Sequence, residues 1–183
     1  MTHRIIDNFA PPALVRGLTA TWLPADSGHW HVYDNGKRCT KDPSRLPLIA
    51  NLLIQQIAAI DDPITWDTFP DVEYLHGAGL HEMPVGGSLG LHLDSERHPL
   101  RPWKREASAV LYLDDCDGGE LELCDADGTA LERIEARANR LVMFSTPGQW
   151  HRVATCRSVR RSLCLFFWSI TDYPSGASTA TFK

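Results

Sequence analysis

Two periodicities divide the chain. In SRLPLIANLLIQQIAAI (Ser44–Ile60), Leu48, Leu52, Leu53 and Ile57 recur at helical spacing, and the pattern stops at DDP. PPALVRGLTATWL (Pro11–Leu23) opens on prolines, which the first turn of a helix tolerates. Between the two, ADSGHWHVYDNGKRCTKDP is rich in turn formers and charge and reads as a loop or hairpin. From about Val72 the spacing shortens to that of strands: VEYLH, LHEM, SLGLHLD, SAVLYLD, GELELCD, ALERIE, RLVMFS, WHRVAT and RRSLCLFFWSI, parted by clusters such as DDCDGG, DADG and STPG. Helices followed by many short strands predict a mainly β (α+β) fold, an antiparallel sandwich or jelly roll with the helices packed on one sheet.

A chain of 183 residues, 43% hydrophobic and 22% charged, fills one core and is too short for two. The expected division is a single domain over 1–183: helical support to about 70, a β core over about 72–170, and a tail over 171–183. A net charge of -5 argues against general nucleic-acid or anionic-membrane binding. The N-terminal MTHRIIDNFAPPALV has no basic stretch leading into a long apolar one, so no secretory signal is expected. No apolar run is long enough for a membrane span. The five cysteines form no CxxC pair, so reduced thiols and a cytoplasmic location are expected. Cys164, in LCLFFW, reads as a small buried side chain.

The stretch GLHLDSERHPL holds the first candidate chemistry. On a strand, residues two apart share a face, so His92 and Asp94 would project together. Eight histidines and fifteen aspartates make about 0.7 such pairs an expectation of chance, so the pair alone decides nothing. Two further elements add weight. RANRLVMFSTPGQWHRV has the form of strand, turn and return strand, which can bring His151 over the same cavity. Two imidazoles and a carboxylate form a face that suits non-haem Fe(II) and leaves coordination positions open. Nine residues on, Arg160 leads into the most apolar strand, where parity puts Arg160, Ser162, Cys164 and Phe166 on one face. An inward arginine is costly unless it meets an anion, and a dicarboxylate co-substrate is such a partner.

The order HxD, GGEL, WHRV and RxS-L resembles the 2-oxoglutarate- and Fe(II)-dependent oxygenases, in particular their prolyl-4-hydroxylase-like branch, over about Leu80–Ser169. IIDNFAPPALV is similar to that branch's opening strand and helix. The resemblance implies a double-stranded β-helix (jelly roll, cupin-like) on N-terminal supporting helices. It also implies Fe(II), 2-oxoglutarate and O2 as cofactor and co-substrates, with ascorbate as a stimulant. His92, Asp94 and His151 would ligate iron. Arg160 would hold the far carboxylate of 2-oxoglutarate with Ser162 as helper, and Arg161 would take that role if the register shifted by one. Tyr112 is a further co-substrate contact in this reading, or else a core aromatic. Many relatives have a tyrosine where this chain has Met83, and a thioether lines a pocket without donating a hydrogen bond. His81 or Tyr112 would then complete the network.

The activity so implied is hydroxylation of an aliphatic C–H, with 2-oxoglutarate converted to succinate and CO2. A carboxylate at Asp94 favours this over halogenation, which in related enzymes needs a small residue there. The substrate expectation is a peptidyl or free amino acid. A small metabolite, a non-oxidative cupin-like metalloenzyme and a non-catalytic β-barrel module remain open alternatives. SERHPLRPWKRE, with Arg97, Arg101, Lys104 and Arg105, is expected at the cavity mouth as a solvated flap near the substrate, with Trp103 as a stacking surface. HWHVYDNGKR (His29–Arg38) is expected as a second rim element, and its HxH pair as a weaker metal candidate.

Overall fold

The computed structural model describes residues 3–40, 42, 45–72, 77–170 and 181–182. In chain order its elements are β1 (His3–Ile6), α1 (Pro12–Ala20), β2 (Trp30–Val32), β3 (Arg38–Thr40), α2 (Leu48–Ala58), β4 (Phe69–Pro70), β5 (Gly79–Met83), β6 (Leu89–Leu93), β7 (Trp103–Tyr112), β8 (Leu121–Cys124), β9 (Ala130–Ile134), β10 (Leu141–Ser145), β11 (Trp150–Val153), β12 (Arg160–Ile170) and β13 (Thr181–Phe182). Every pairing is antiparallel. One sheet runs β1-β10-β7-β12-β5-β3-β2, with β4 also on β12, and the other runs β13-β6-β11-β8-β9. Two facing antiparallel sheets with helices on one of them are the expected double-stranded β-helix.

The β12 strand is the axis of the larger sheet and explains why RRSLCLFFWSI is so apolar. Its Leu163, Leu165 and Phe167 face outward onto Leu53, Ile54 and Ile57 of α2, in the larger apolar core. Its alternate residues, including Arg160 and Cys164, face inward between the sheets. A second apolar cluster, with Leu121, Leu123, Val142 and Phe144, fills the inter-sheet space. No strand of an open sheet needs apolar residues on both faces unless both are covered, and here both are.

Of the four residues at helical spacing in α2, Leu53 and Ile57 are buried together with Ala50 and Ile54, whereas Leu48 and Leu52 are exposed. A helix as apolar as this one carries more than one leucine stripe, and only its docking on β12 selects among them. The region between the helices is a hairpin, β2–β3. VEYLH falls largely on 73–76, outside the described residues. Within the tail, Thr181 and Phe182 pair with Leu93 and His92 of β6. At the β9–β10 turn Asn139 has φ 62, and its side-chain amide accepts from Ala10 N (2.9 Å) and donates to Ala10 O (2.8 Å). That clamp ties the segment before α1 to the sheet. No helix among the described residues is long and apolar enough to cross a membrane.

Candidate active site

His92 and His151 lie directly opposite each other in the β6–β11 ladder, their ring centroids 4.1 Å apart. Asp94 is the first residue past β6 and keeps the facing of His92. Each imidazole Nδ1 meets the carbonyl two residues before it: His92 with Gly90 O (2.8 Å) and His151 with Gln149 O (3.0 Å). With Nδ1–H donating there, each ring presents a bare Nε2. Both Nε2 atoms turn to Asp94 Oδ1, at 3.7 Å and 3.9 Å, too far for hydrogen bonds and suited to ligands of one ion. Among the described residues these three form the one group of this kind, with ligand atoms within 4.8 Å of one another. The donor set, two neutral nitrogens and one carboxylate oxygen, fits Fe(II).

The electrostatics favour that protonation state. Burial, joined by the neighbouring His151, lowers His92 to about 4 against the pull of Asp94. Burial alone would raise Asp94, but the Arg105 guanidinium and the two imidazoles override it and hold the carboxyl well below the usual range. Asp94 Oδ2 is tied to Arg105 Nη1 (3.2 Å) and Ser108 Oγ (3.3 Å), which leaves Oδ1 free. Ser108 in turn meets Thr146 Oγ1 at 3.0 Å. Arg105 is buried, its guanidinium 3.7 Å from the Phe166 ring centre and 5.2 Å from that of Trp168.

The three residues line a cavity shared with Arg160, Met83, His81 and Cys164. Arg160 is buried. Its Nη2 donates to Tyr112 Oη (3.3 Å), and its Nε has no hydrogen-bond partner. Burial would lower its pKa, but Tyr112, joined by Cys164 and Cys156, outweighs that and keeps the guanidinium charged. A charged, buried and incompletely bonded guanidinium facing a cavity fits a carboxylate. Arg161 points to the other face, meeting Glu82 (3.5 Å) and Asp114 (3.4 Å). Parity therefore puts Arg160, not Arg161, in the cavity.

The room for Arg160 comes from the glycines of GGEL. Gly118 has φ +72, and a Cβ there would sit 2.3 Å from Thr155 O. A Cβ on Gly119 would come within 3.0 Å of Arg160 Cδ. Only glycine lets the β7–β8 and β11–β12 connections close on each other at that point.

The remaining sequence candidates are placed as follows. Tyr112 is fully buried behind Arg160. Ser162 lies opposite both His81 and Tyr112 in the ladders, and its Oγ contacts Cys164 Sγ at 3.8 Å. Met83 pairs with Arg160 across β5–β12 and lines the cavity. His81 has both nitrogens engaged, Nε2 with Gly77 O (2.6 Å) and Nδ1 with Cys164 Sγ (3.5 Å), so it keeps no free N–H for a co-substrate.

Two expectations need correction. SERHPLRPWKRE is not a free flap: its last four residues belong to β7, Arg105 is committed to Asp94, and His98 is fully buried. The His98 ring accepts from Leu100 N (3.1 Å) and Arg101 N (2.9 Å) and meets Asp71 (3.3 Å), which staples the loop down. Trp103 is taken up too, edge-on against Phe69 at 4.8 Å. The HxH pair is not brought to the site, and His31 packs on Tyr33. Lys37 and Ser108 line the cavity; Lys37 lies in the stretch expected at the rim, where it was not singled out, and Ser108 was missed. Ser108 was within reach, since it shares the face of Val110 and Tyr112 on β7. Lys37 had no local signal.

The pH behaviour of the metal-free protein follows from the buried histidines. Burial, helped by the Lys37 ammonium, lowers His81 to about 3. The unfolded chain takes up protons near pH 6.5 that the folded His81 and His92 refuse, so stability is full above pH 6.5 and falls as pH drops toward 4. The slope is up to about 1.4 kcal/mol per pH unit for each histidine. Urea midpoints in EDTA should fall from pH 7 to pH 5, and less steeply in His81→Gln. A flat profile would contradict the burial of neutral rings.

Fold and donor set together are those of a cupin-like, mononuclear metalloprotein. The family model described as the 2OG-Fe(II) oxygenase superfamily matches residues 78–168, which span the site. The structure is similar to a Pseudomonas putida prolyl-4-hydroxylase at 27% identity and a TM-score of 0.65, covering 91% of this chain and 92% of that one. A Trichoplax adhaerens prolyl hydroxylase, solved with a hypoxia inducible factor peptide fragment, aligns at 16% identity and 0.64, covering 91% and 83%. The collagen prolyl hydroxylase of Paramecium bursaria Chlorella virus-1 aligns at 12% and 0.57, covering 93% and 97%. The last two show likeness of fold alone. No match is found among curated proteins. The chain belongs to the 2OG-Fe(II) oxygenase superfamily, on its prolyl-4-hydroxylase-like branch. It is a 2-oxoglutarate-dependent dioxygenase, and the family's chemistry uses Fe(II), 2-oxoglutarate and O2.

Proposed function

We propose that the chain is one oxygenase domain that hydroxylates an aliphatic C–H of an amino-acid residue, peptidyl or free, with proline as the leading candidate. In this reading His92, Asp94 and His151 hold Fe(II). Arg160, braced by Tyr112, anchors the far carboxylate of 2-oxoglutarate, with Met83 and Ser162 shaping the space beside it. The observation that carries it is the conjunction, in one cavity, of two bare Nε2 atoms facing a carboxylate oxygen and a buried guanidinium with an unpartnered Nε.

When bound, iron with 2-oxoglutarate and O2 supplies the oxidation: one oxygen atom goes to succinate and one to the substrate's new hydroxyl, with CO2 released. The protein's part is placement. The Gly90 and Gln149 carbonyls fix the imidazole tautomers. Arg105 and Ser108 restrict Asp94 to ligation through Oδ1. Phe144, packed on the His151 ring at 5.1 Å, keeps water from that side. The likeness to the Pseudomonas putida enzyme supports the prolyl assignment.

The test is anaerobic Fe(II) and 2-oxoglutarate with ascorbate, followed by succinate assays with free proline and with proline-containing peptides. A visible charge-transfer band and proline-dependent succinate above the uncoupled level are expected. Absence of the band would falsify the co-substrate assignment. A band without stimulation by any proline compound would restrict the failure to the substrate.

A further inference from the structure

One cation in the cavity has no role in the site so far. Lys37 lines it from the β2–β3 hairpin and is half-buried. The turn that carries it is built and docked. Tyr33 N donates to Lys37 O (2.9 Å), and Lys37 N donates to Asn35 Oδ1 (3.1 Å). Asn35 Nδ2 reaches Ser88 O (2.8 Å), and Gly36 lies so close to Pro84 that a Cβ would come within 3.0 Å of its ring. The hairpin tip thus sits flush on the β5–β6 connection, beside the mouth. The next residue, Arg38, faces the opposite way and pairs with Glu82, so alternation turns Lys37 inward.

The ammonium lies 5.6 Å from the Tyr33 ring centre, and no carboxylate among the described residues forms an ion pair with it. Among the described residues Asp94 is the only carboxylate lining the cavity, and it is already held by Arg105. A divalent metal and the dianion 2-oxoglutarate offset one another, which leaves Lys37, Arg105 and Arg160 against that single carboxylate. Lys37 and Arg160 both act on His81 and Cys164, and Lys37 also acts on His92 and Asp94. Lys37 therefore reaches the metal-ligand side of the cavity as well as the side that it shares with Arg160. A second anion is called for at the Lys37 side, and burying the ammonium under a neutral group would leave it unpaired.

We propose that Lys37 binds a carboxylate of the substrate itself, so that the substrate is a free amino acid or a chain-terminal residue with a free carboxylate near the oxidised C–H, not an internal peptide residue. This rests on the function proposed above. A lysine suits the task because its compact charge grips one oxygen anion without demanding a planar partner.

The test uses protein loaded with Zn(II) and 2-oxoglutarate, so that nothing turns over. Acetate, N-acetylglycine and N-acetyl-L-proline are each titrated against their primary amides, with binding followed by calorimetry and by Lys Nζ-detected NMR. Carboxylates should bind and amides should not, with the Lys37 signal moving. Lys37→Met should weaken the carboxylates roughly tenfold, as expected for a half-screened charge contact, with Lys37→Arg largely restoring them. Carboxylates that bind no better than amides, or not at all up to their solubility limit, overturn the proposal. So does a Lys37→Met protein whose loss is in 2-oxoglutarate affinity, because the lysine then anchors the co-substrate. If the wild type fails to bind 2-oxoglutarate with metal, the failure belongs to the underlying function.

Discussion

An Asp94→Ala protein is expected to hold no stoichiometric iron and to lose turnover by about a thousandfold or more, beyond the ten- to hundredfold typical of residues that only support a metal ligand. It is also expected to be less stable than wild type without any metal present. Asp94 Oδ2 is the counter-charge of Arg105, which is buried between Phe166 and Trp168 and cannot swing into solvent. Removing one partner of a buried pair costs about 3–5 kcal/mol, and the partial exposure of Asp94 places this case toward the lower end. The two effects separate in Asp94→Ala/Arg105→Leu. Removing the stranded guanidinium should recover most of the urea midpoint and none of the iron. Metal content by elemental analysis and unfolding in EDTA decide the matter. Stoichiometric iron in Asp94→Ala would refute the ligand assignment. A double variant no more stable than the single one would refute the account of Arg105.

That pairing also marks the limit of what the sequence could reveal. His92 and Asp94 were readable because strand parity is local: two residues apart means one face, and this holds even though Asp94 lies one residue past the end of β6. His151 was readable because a strand, a tight turn and a return strand constrain where the chain goes, and the ladder puts it opposite His92. Arg160 was favoured by parity on β12, with Arg161 kept in case the register shifted by one, and it is the fold that turns Arg161 to Glu82 and Asp114 on the outer face. Arg105 was misread as part of a solvated loop. Its partner is 11 residues away in sequence, and its aromatic box comes from β12, so no local pattern distinguishes it from Arg101. Lys37 and His98 are similar cases: a turn lysine and a loop histidine look alike wherever they point, and only the docking of one element on another directs them inward. The buried face of α2 has the same origin, since its leucines alone do not say which side the sheet will cover.

Arg160 carries the other large effect. Arg160→Met is expected to raise the Kd for 2-oxoglutarate on the order of 100-fold while leaving the metal site intact. The figure corresponds to losing a buried, charge-assisted carboxylate contact of about 3 kcal/mol. Methionine keeps the volume of the side chain, so the glycine-built space beside Gly119 is not disturbed. Arg160→Lys should recover little, because a lysine cannot form the planar two-point grip. Tyr112→Phe should cost less than Arg160→Met, since it removes one neutral hydroxyl from the guanidinium's surroundings and leaves the charge. Titration of the anaerobic visible band reads these affinities directly and independently of turnover. Arg161→Met is the necessary control. It strips Glu82 and Asp114 of a shared cation on the outer face, so its effect should fall on stability and not on co-substrate binding. If Arg161→Met instead weakened 2-oxoglutarate and Arg160→Met did not, the inward facing of β12 would be off by one residue. Cys164 and Phe166 would then leave the cavity together with Arg160, because parity moves every side chain of a strand at once.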